Sequence, residues 1–458
     1  MTVLLVTFVL AVAAALWGMR RATDAREYFA AGHRAGSLLV GVAGTAAALS
    51  AFTFVGGPGL FLVVGMGSLW MILSAPVTGA LQCWAIGEPV VRAVQARGAV
   101  TVPALLGERF PGRAPQATAA VVVALGCVAS LAVQVRAAAV LGESLLGVSP
   151  LAAALLTMTA TTLYTALGGM RVGLVADAVQ GALMALVAVI LAAATLSAAG
   201  GPAAALDTLA RTTPDLLGPF GRVPPAQAVA WLLLFGLGTC AQPHYVQKFL
   251  FLRSRHELAT LPAVLTVALV LTLTVWVGVG LGGTALVATG TLSVARPDAL
   301  TPAVLRHLGA WAMLLGGAGV FAALMSTAAS FLNLAAAAVT RDLPQALGRR
   351  VGGIGSARWA TLAVAGAATV AGVVSERAIA MLAVLGWGFF TAALLPVLVL
   401  GLAWQRPGPG AAAAAMLAGA CVDLVLEAFR GGLPPGLEPG LAGAAVGTLV
   451  LAGAAWRR

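Results

Sequence analysis

The sequence predicts an all-α polytopic membrane protein of about 13 transmembrane helices, built around two inverted five-helix halves. Three observations carry this. First, 60% of the 458 residues are hydrophobic and 9% charged, with mean hydropathy +1.00, which excludes a soluble globule of ordinary composition. Second, apolar runs of span length recur along the whole chain, and basic residues gather in alternate loops between them. Third, two runs carry helix-breaking residues: Gly56-Gly57-Pro58-Gly59 ends one, and Gly236-Leu237-Gly238 with Gln242-Pro243-His244 interrupts another.

The runs fall near 1–18, 37–64, 67–90, 115–144, 149–168, 171–199, 225–247, 258–287, 309–338, 356–374, 378–403, 409–427 and 438–456. Each is long enough for a hydrocarbon core of about 30 Å. Their Gly and Pro content is tolerable because neighbouring helices re-satisfy freed backbone groups. The two interrupted runs are the second and seventh, so they hold matching places in two five-run units. Five is odd, so the second unit enters the membrane from the opposite side. Interrupted helices at matching positions of inverted halves point to a secondary transporter with its site near the bilayer midplane.

Alternate loops hold nineteen of the 26 basic residues, among them Arg92, Arg97, Arg109, Arg113, Lys248, Arg253, Arg255, Arg341, Arg349, Arg350 and Arg358. The opposite loops hold six, and Arg136 lies inside a run. The positive-inside rule then predicts a C-terminus in the cytoplasm and, with thirteen crossings, an N-terminus outside; the expected location is a bacterial inner membrane. In the first run, Arg20 and Arg21 follow the apolar stretch, which favours an uncleaved helix over a signal peptide. The net charge of +11 needs no nucleic-acid partner, because basic loops facing anionic lipid explain it. Cys83, Cys127, Cys240 and Cys421 stand at no metal-ligand spacing and read as small packing residues.

The expected organisation is one transporter domain, with 1–36 as a peripheral helix and loop, 37–199 as the first repeat, 225–404 as the second, and 405–458 as two appended helices. No phosphate-cradling Gly-rich loop is present, so energy for transport must come from an ion gradient. No covalent chemistry is implied, and no obligate protein partner.

Five stretches resemble the sodium:solute symporter family, in its proline and pantothenate branch. They are Tyr28-Phe29-Ala30-Ala31-Gly32-His33-Arg34; Thr101-Val102-Pro103 through Glu108-Arg109-Phe110; Tyr164-Thr165-Ala166-Leu167-Gly168-Gly169 with Asp177 and Gln180; Ala241-Gln242-Pro243-His244 with Lys248-Phe249; and Ala322 through Thr327 with Asn333 and Asp342. Their joint order, over about residues 26–405, is far more specific than any one. The resemblance implies a LeuT-type 5+5 inverted repeat and Na+ as coupling ion, with no cofactor.

By that resemblance, sodium is held by carbonyls of Ala46 and Leu49 in the first core helix and of Ala323 in the eighth, with the hydroxyls of Ser326 and Thr327. Read alone, each hydroxyl could equally bond a carbonyl one turn back in its own helix. Some relatives hold a second sodium with two further serines and the fifth-helix aspartate. Here Ala329 takes the first serine position while Ser330 and Asp177 remain, which favours one ion.

Asp177, about two turns into its run, is a functional candidate because a carboxylate at depth costs roughly 2.5 to 3.5 kcal/mol on insertion scales. It reads either as attracting sodium and guiding its release, or as a structural pair with an arginine such as Arg171. Arg136 reads either as snorkelling outward or as counter-ion to a carboxylate substrate. The resemblance places the substrate against Ser50, Phe52, Thr53, Phe54, Phe235, Thr239, Gln242, Trp387 and Phe390, a small and mostly apolar set. It suits an amino acid such as proline, a monocarboxylate or a pantothenate-like acid better than a sugar. Thr239 departs from the aromatic expected of the proline branch.

The expected function is therefore sodium-coupled import of a small organic solute by alternating access. A proton-coupled carrier of the same fold and a non-transporting solute sensor remain as competitors. A channel does not fit, because the sequence holds no ring of charge for a filter.

Overall fold

Prolines and small hydroxyl side chains set where many helices begin. The computed structural model describes residues 35–97, 99–375 and 377–456. Within it the helices Pro150–Ala198, Pro225–Gly238, Pro243–Phe249, Leu261–Ala288 and Pro409–Ala428 all carry proline at their first or second position, where its missing N–H is no loss. Thr101 Oγ1 accepts from the Ala104 N–H at 3.2 Å, and Ser149 Oγ accepts from that of Ala152 at 3.3 Å. Each supplies a partner that the first helical turn lacks.

Helix dominates, with no strand among the described residues. Among the described residues, eight helices are long and apolar enough to cross a membrane, and shorter apolar helices cover Ser37–Ala47, Pro225–Ala241 and Pro439–Ala454. Their outward faces carry large apolar side chains such as Leu125, Leu156, Val179, Val267 and Val370, as expected against lipid. The first apolar run and the Tyr28 to Arg34 motif lie outside the described residues.

The runs at 149–168 and 171–199 form one helical element, Pro150–Ala198. Forty-nine residues of straight helix would extend about 74 Å, more than twice a hydrocarbon core. Contacts show that the element doubles back. Gly173 lies beside Asn333, Asp177 bonds Ser330, Val187 lies beside Gly319 and Leu191 beside Gly316, so this part runs antiparallel to Ala310–Ala337. Yet Tyr164 Oη reaches the Met325 carbonyl at 2.8 Å, and the Ala166 carbonyl accepts from Arg358 Nε at 3.1 Å. A straight helix would carry Tyr164 far beyond that level.

Connections collect at two ends. At one, Arg296 pairs with Glu143, Asp298 accepts from the Ile379 N–H, and Gly65 meets the 213–221 segment. Gly65 has φ +66°, and a Cβ there would stand 2.1 Å from the Leu216 carbonyl oxygen, so only glycine fits. At the other end, Ala35 and Phe251 exchange backbone contact, Thr101 bonds Asp342, and Arg109 bonds the Trp404 carbonyl.

One expectation needs correction. The Gly56-Gly57-Pro58-Gly59 run does not break the first core helix, because Gly57–Val64 is helical through it. The glycines serve close approach instead: a Cβ on Gly57 would lie 2.3 Å from the Trp276 ring, and one on Gly59 2.7 Å from the Pro297 carbonyl oxygen. The break lies before it, where Ser37–Ala48 ends and Leu49 turns extended at φ −87°, ψ 91°. In the second half, the break falls where expected, at Gln242, with φ −74°, ψ 114°.

Candidate functional site

A broken helix inside a membrane must find partners for its freed backbone groups, and at the two breaks side chains, local and distant, supply them. At the first, the Ala51 N–H donates to Gln134 Oε1 at 3.3 Å, and the Phe52 N–H donates to Ser50 Oγ at 3.1 Å. At the second, Gln242 Nε2 donates to the carbonyls of Gly238 and Trp387, both at 3.2 Å. Gln82 Nε2 donates to Thr239 Oγ1 at 2.5 Å, tying the segment after the first break to the second.

Beside the first break, Ser326 Oγ donates to the Ala46 carbonyl at 2.9 Å and to the Ala323 carbonyl at 3.1 Å. Thr327 Oγ1 is buried without a partner. The Tyr164 hydroxyl holds the neighbouring Met325 carbonyl, and Gly181 brings its helix against Val42 and Ala46, where a Cβ would sit 3.0 Å from that of Ala46. Ala46, Ala323, Ser326 and Thr327 are nearly inaccessible, and Leu49 is buried at the break. The arrangement concentrates oxygens, one of them with unused bonding capacity, where the chain carries no formal charge.

Next to this cluster lies a cavity of about 60 Å³, room for a few waters. Phe52, Thr53, Phe235, Thr239 and Trp387 line it, together with Trp276, Ser74 and Thr78. Phe52 stacks on Phe235 with ring centroids 5.7 Å apart, meets Trp276 edge-on at 4.9 Å, and Phe235 meets Trp387 at 5.1 Å. The Trp387 Nε1 donor is buried without a partner.

Ser50 and Gln242 belong to the breaks and are not in this lining. Phe54 offers its carbonyl to Thr301 Oγ1 at 2.6 Å, and Phe390 packs in a separate cluster with Phe331, Phe389 and Gly126. Arg136 is also outside the lining. Its Nε is buried without a hydrogen bond, and its charge acts on Asp298.

Asp177 is buried, and its partner is Lys248, whose Nζ donates to Oδ2 at 2.6 Å. Ser330 Oγ donates to the same oxygen at 3.3 Å. Sequence proximity suggested an arginine such as Arg171 instead; the pair is made across 71 residues. Gln82, Gln134 and Trp276 also went unremarked in the sequence. Lys248 carried a signal of its own, as the only lysine in the chain.

A profile of the sodium:solute symporter family matches residues 28–419. The osmoregulated proline transporter OpuE of Bacillus subtilis is 26% identical over 422 residues, covering 89% of this chain and 85% of that protein. The sodium/pantothenate symporter of Escherichia coli is 26% identical over 418 residues, covering 89% and 86%. Among solved structures, the substrate-bound, outward-open state of a Na+-coupled sialic acid symporter superposes with TM-score 0.82 at 17% identity, over 100% of this chain and 97% of that one. The likeness in structure speaks for the fold.

Proposed function

Because this chain belongs to the sodium:solute symporter family, with Na+ as its coupling ion, we propose that it imports a small amino acid or carboxylate, with sodium seated at the Ser326 cluster. The chain is a membrane transporter and not an enzyme. What supports the ion assignment is the orphaned hydroxyl of Thr327 beside a serine whose proton already bridges the first and eighth core helices. Sodium is a hard cation that needs several oxygens. With it bound, the Ser326 and Thr327 oxygens and the carbonyls of Ala46, Leu49 and Ala323 act as acceptors for the ion. The same contact between helices is then made by a full positive charge instead of a hydroxyl proton.

The aromatic cavity adjoins this cluster through Leu49, Phe52 and Thr53, three to seven residues past Ala46. Ion and solute therefore stabilise one segment, and each raises the affinity of the other by the same factor. The unpaired Trp387 Nε1 offers a donor to a carboxylate, while the aromatic faces suit a compact apolar body. Proline, which one relative named above carries, fits that description through its carboxylate and its ring; pantothenate, which another carries, shares the carboxylate but not the compact apolar body. Asp177 is in this reading a release-side residue, and Arg136 is better placed to serve Asp298 than a solute. Orientation follows the basic loops: C-terminus cytoplasmic, in a bacterial inner membrane.

The deciding experiment is uptake of labelled proline and pantothenate into proteoliposomes under an inward sodium gradient, with potassium as control. Sodium-dependent accumulation of either supports the reading. Uptake driven by a pH gradient with no sodium requirement would replace it with proton coupling.

A further inference from the structure

Glu108 and Arg109 end a helix, Val102–Arg109, that takes no part in the ion cluster or the solute cavity. They line a separate cavity of about 610 Å³, together with Trp84, Glu88 and Arg92 and, from the run at 378–403, Leu402. Its walls thus come from both halves of the chain. Arg92 and Arg109 belong to the loops that the basic residues mark as cytoplasmic.

Polarity changes along this cavity in one direction. Trp84 is 82% exposed, an aromatic of the kind that collects where helices leave a bilayer. Glu88 and Arg92 follow it at intervals of four residues, about 6 Å of helix each. They pair at 2.6 Å, with side chains 47% and 65% exposed. Arg109 gives Nη2 to the Trp404 carbonyl at 2.6 Å and lays its guanidinium 4.4 Å from the Phe110 ring centre, which fixes it as part of the wall. An apolar lip therefore leads into a chamber lined by two carboxylates and two guanidinium groups. Apolar and then charged within about 12 Å is the profile of a phospholipid that enters from the side, tail outward and head inward.

The balance of charge selects the head. A surplus of arginine would suit an anionic lipid, but here each arginine is matched by a carboxylate. A primary ammonium donates three hydrogen bonds and answers Glu88 and Glu108, while a phosphate answers Arg92 through charge-assisted bonds. A trimethylated ammonium carries the same charge with no N–H to give. We infer that this cavity is a binding site for a phospholipid whose head ends in a primary ammonium. The site is independent of the sodium and solute assignments, since it shares no residue with either.

The test is native mass spectrometry of the full-length protein purified in detergent and offered equal amounts of dioleoyl phosphatidylethanolamine, phosphatidylcholine and phosphatidylglycerol. One tightly retained lipid is expected, with the ethanolamine head preferred about tenfold, because hydrogen bonds to charged groups separate lipids with identical tails. Glu88→Gln/Arg92→Gln is expected to remove the preference; an exposed pair of this kind contributes little to folding. If that variant does not fold, Ala403→Trp decides, since it fills the cavity from an exposed wall without changing its charge, and is expected to expel the lipid. Equal retention of the ethanolamine and choline lipids overturns the inference, as does retention of none. Preference for the glycerol head overturns it as well and marks an anionic-lipid site instead. A preference for ethanolamine that survives the variants puts the lipid elsewhere on the protein and overturns the assignment to this cavity.

Discussion

Ser326 and Ala46 are 280 residues apart in the chain and 2.9 Å apart in the fold, joined by a hydroxyl that donates to a carbonyl in the last turn before a helix break. The contact links the two inverted halves where one helix is about to break and the other, Ala310–Ala337, runs regular.

Replacing both hydroxyls tests what this link is for. Ser326→Ala and Thr327→Ala are each expected to raise the sodium concentration needed for half-maximal thermal stabilisation about tenfold, roughly 1.4 kcal/mol of binding. The comparison is sodium against potassium at equal ionic strength, since a ligand bound only by the folded protein raises its melting temperature by mass action. Unchanged sodium dependence in both variants would remove the ion from this place.

Trp387→Phe keeps a ring against Phe235 but deletes the unpaired indole donor. We expect apparent affinity for a carboxylate solute to fall about tenfold while sodium binding is kept, because a hydrogen bond to a charged group contributes about 1.5 to 3 kcal/mol. Competition by proline or pantothenate in the uptake assay reads this directly; equal affinity in both proteins would leave the indole without a recognition role.

Gln134→Leu removes the acceptor of the Ala51 N–H without a large change of volume. A loss of about 1 kcal/mol is expected, within the range for an orphaned buried donor, and should appear as a lower melting temperature with or without sodium. A stability equal to that of the native protein would mean that water replaces the glutamine.

Gly57→Ala forces a Cβ to within 2.3 Å of Trp276, and overpacking of this kind costs about 1 to 3 kcal/mol. Gly366→Ala, where the added carbon meets nothing within 4 Å, should change stability by no more than about 0.5 kcal/mol. Equal effects of the two changes would argue against the close contact with Trp276.

Glu257 accepts the Ser37 N–H at 2.6 Å and pairs with Arg253, which together hold its carboxyl below the usual range, the backbone contact contributing most. A carboxyl depressed in the folded state adds stability above its unfolded value of about 4.3 and loses it as pH falls through the folded value. Glu257→Ala should therefore melt lower than the native protein at neutral pH, with the difference shrinking as pH drops below about 4. A gap that stays constant across this range would exclude the carboxylate charge as its source.

Hydropathy was enough for the all-helical class, because a bilayer forces an apolar run of span length to satisfy its backbone internally. The same reasoning found the second break, where Gln242-Pro243 stops the helix locally: proline disfavours helical geometry in the residue before it. It misplaced the first. Leu49 and Ser50 carry no helix-breaking propensity, and their departure from helix is sustained by Gln134, which supplies an acceptor at Ala51 from a helix more than eighty residues away. The glycine run that looked like a break is a contact surface for Trp276 and Pro297.

Charge followed the same division. The sequence marked Asp177 as a costly carboxylate, open to a sodium role or to a structural ion pair, since its position in an apolar run is visible there. Only the tertiary structure paired it with Lys248, because that choice depends on which helix the inverted repeat lays against it. What the sequence determined by itself was membership and helical class. Where the first core helix breaks, which aromatics share one cavity, and which cation answers the buried aspartate were decided by the packing of one half against the other.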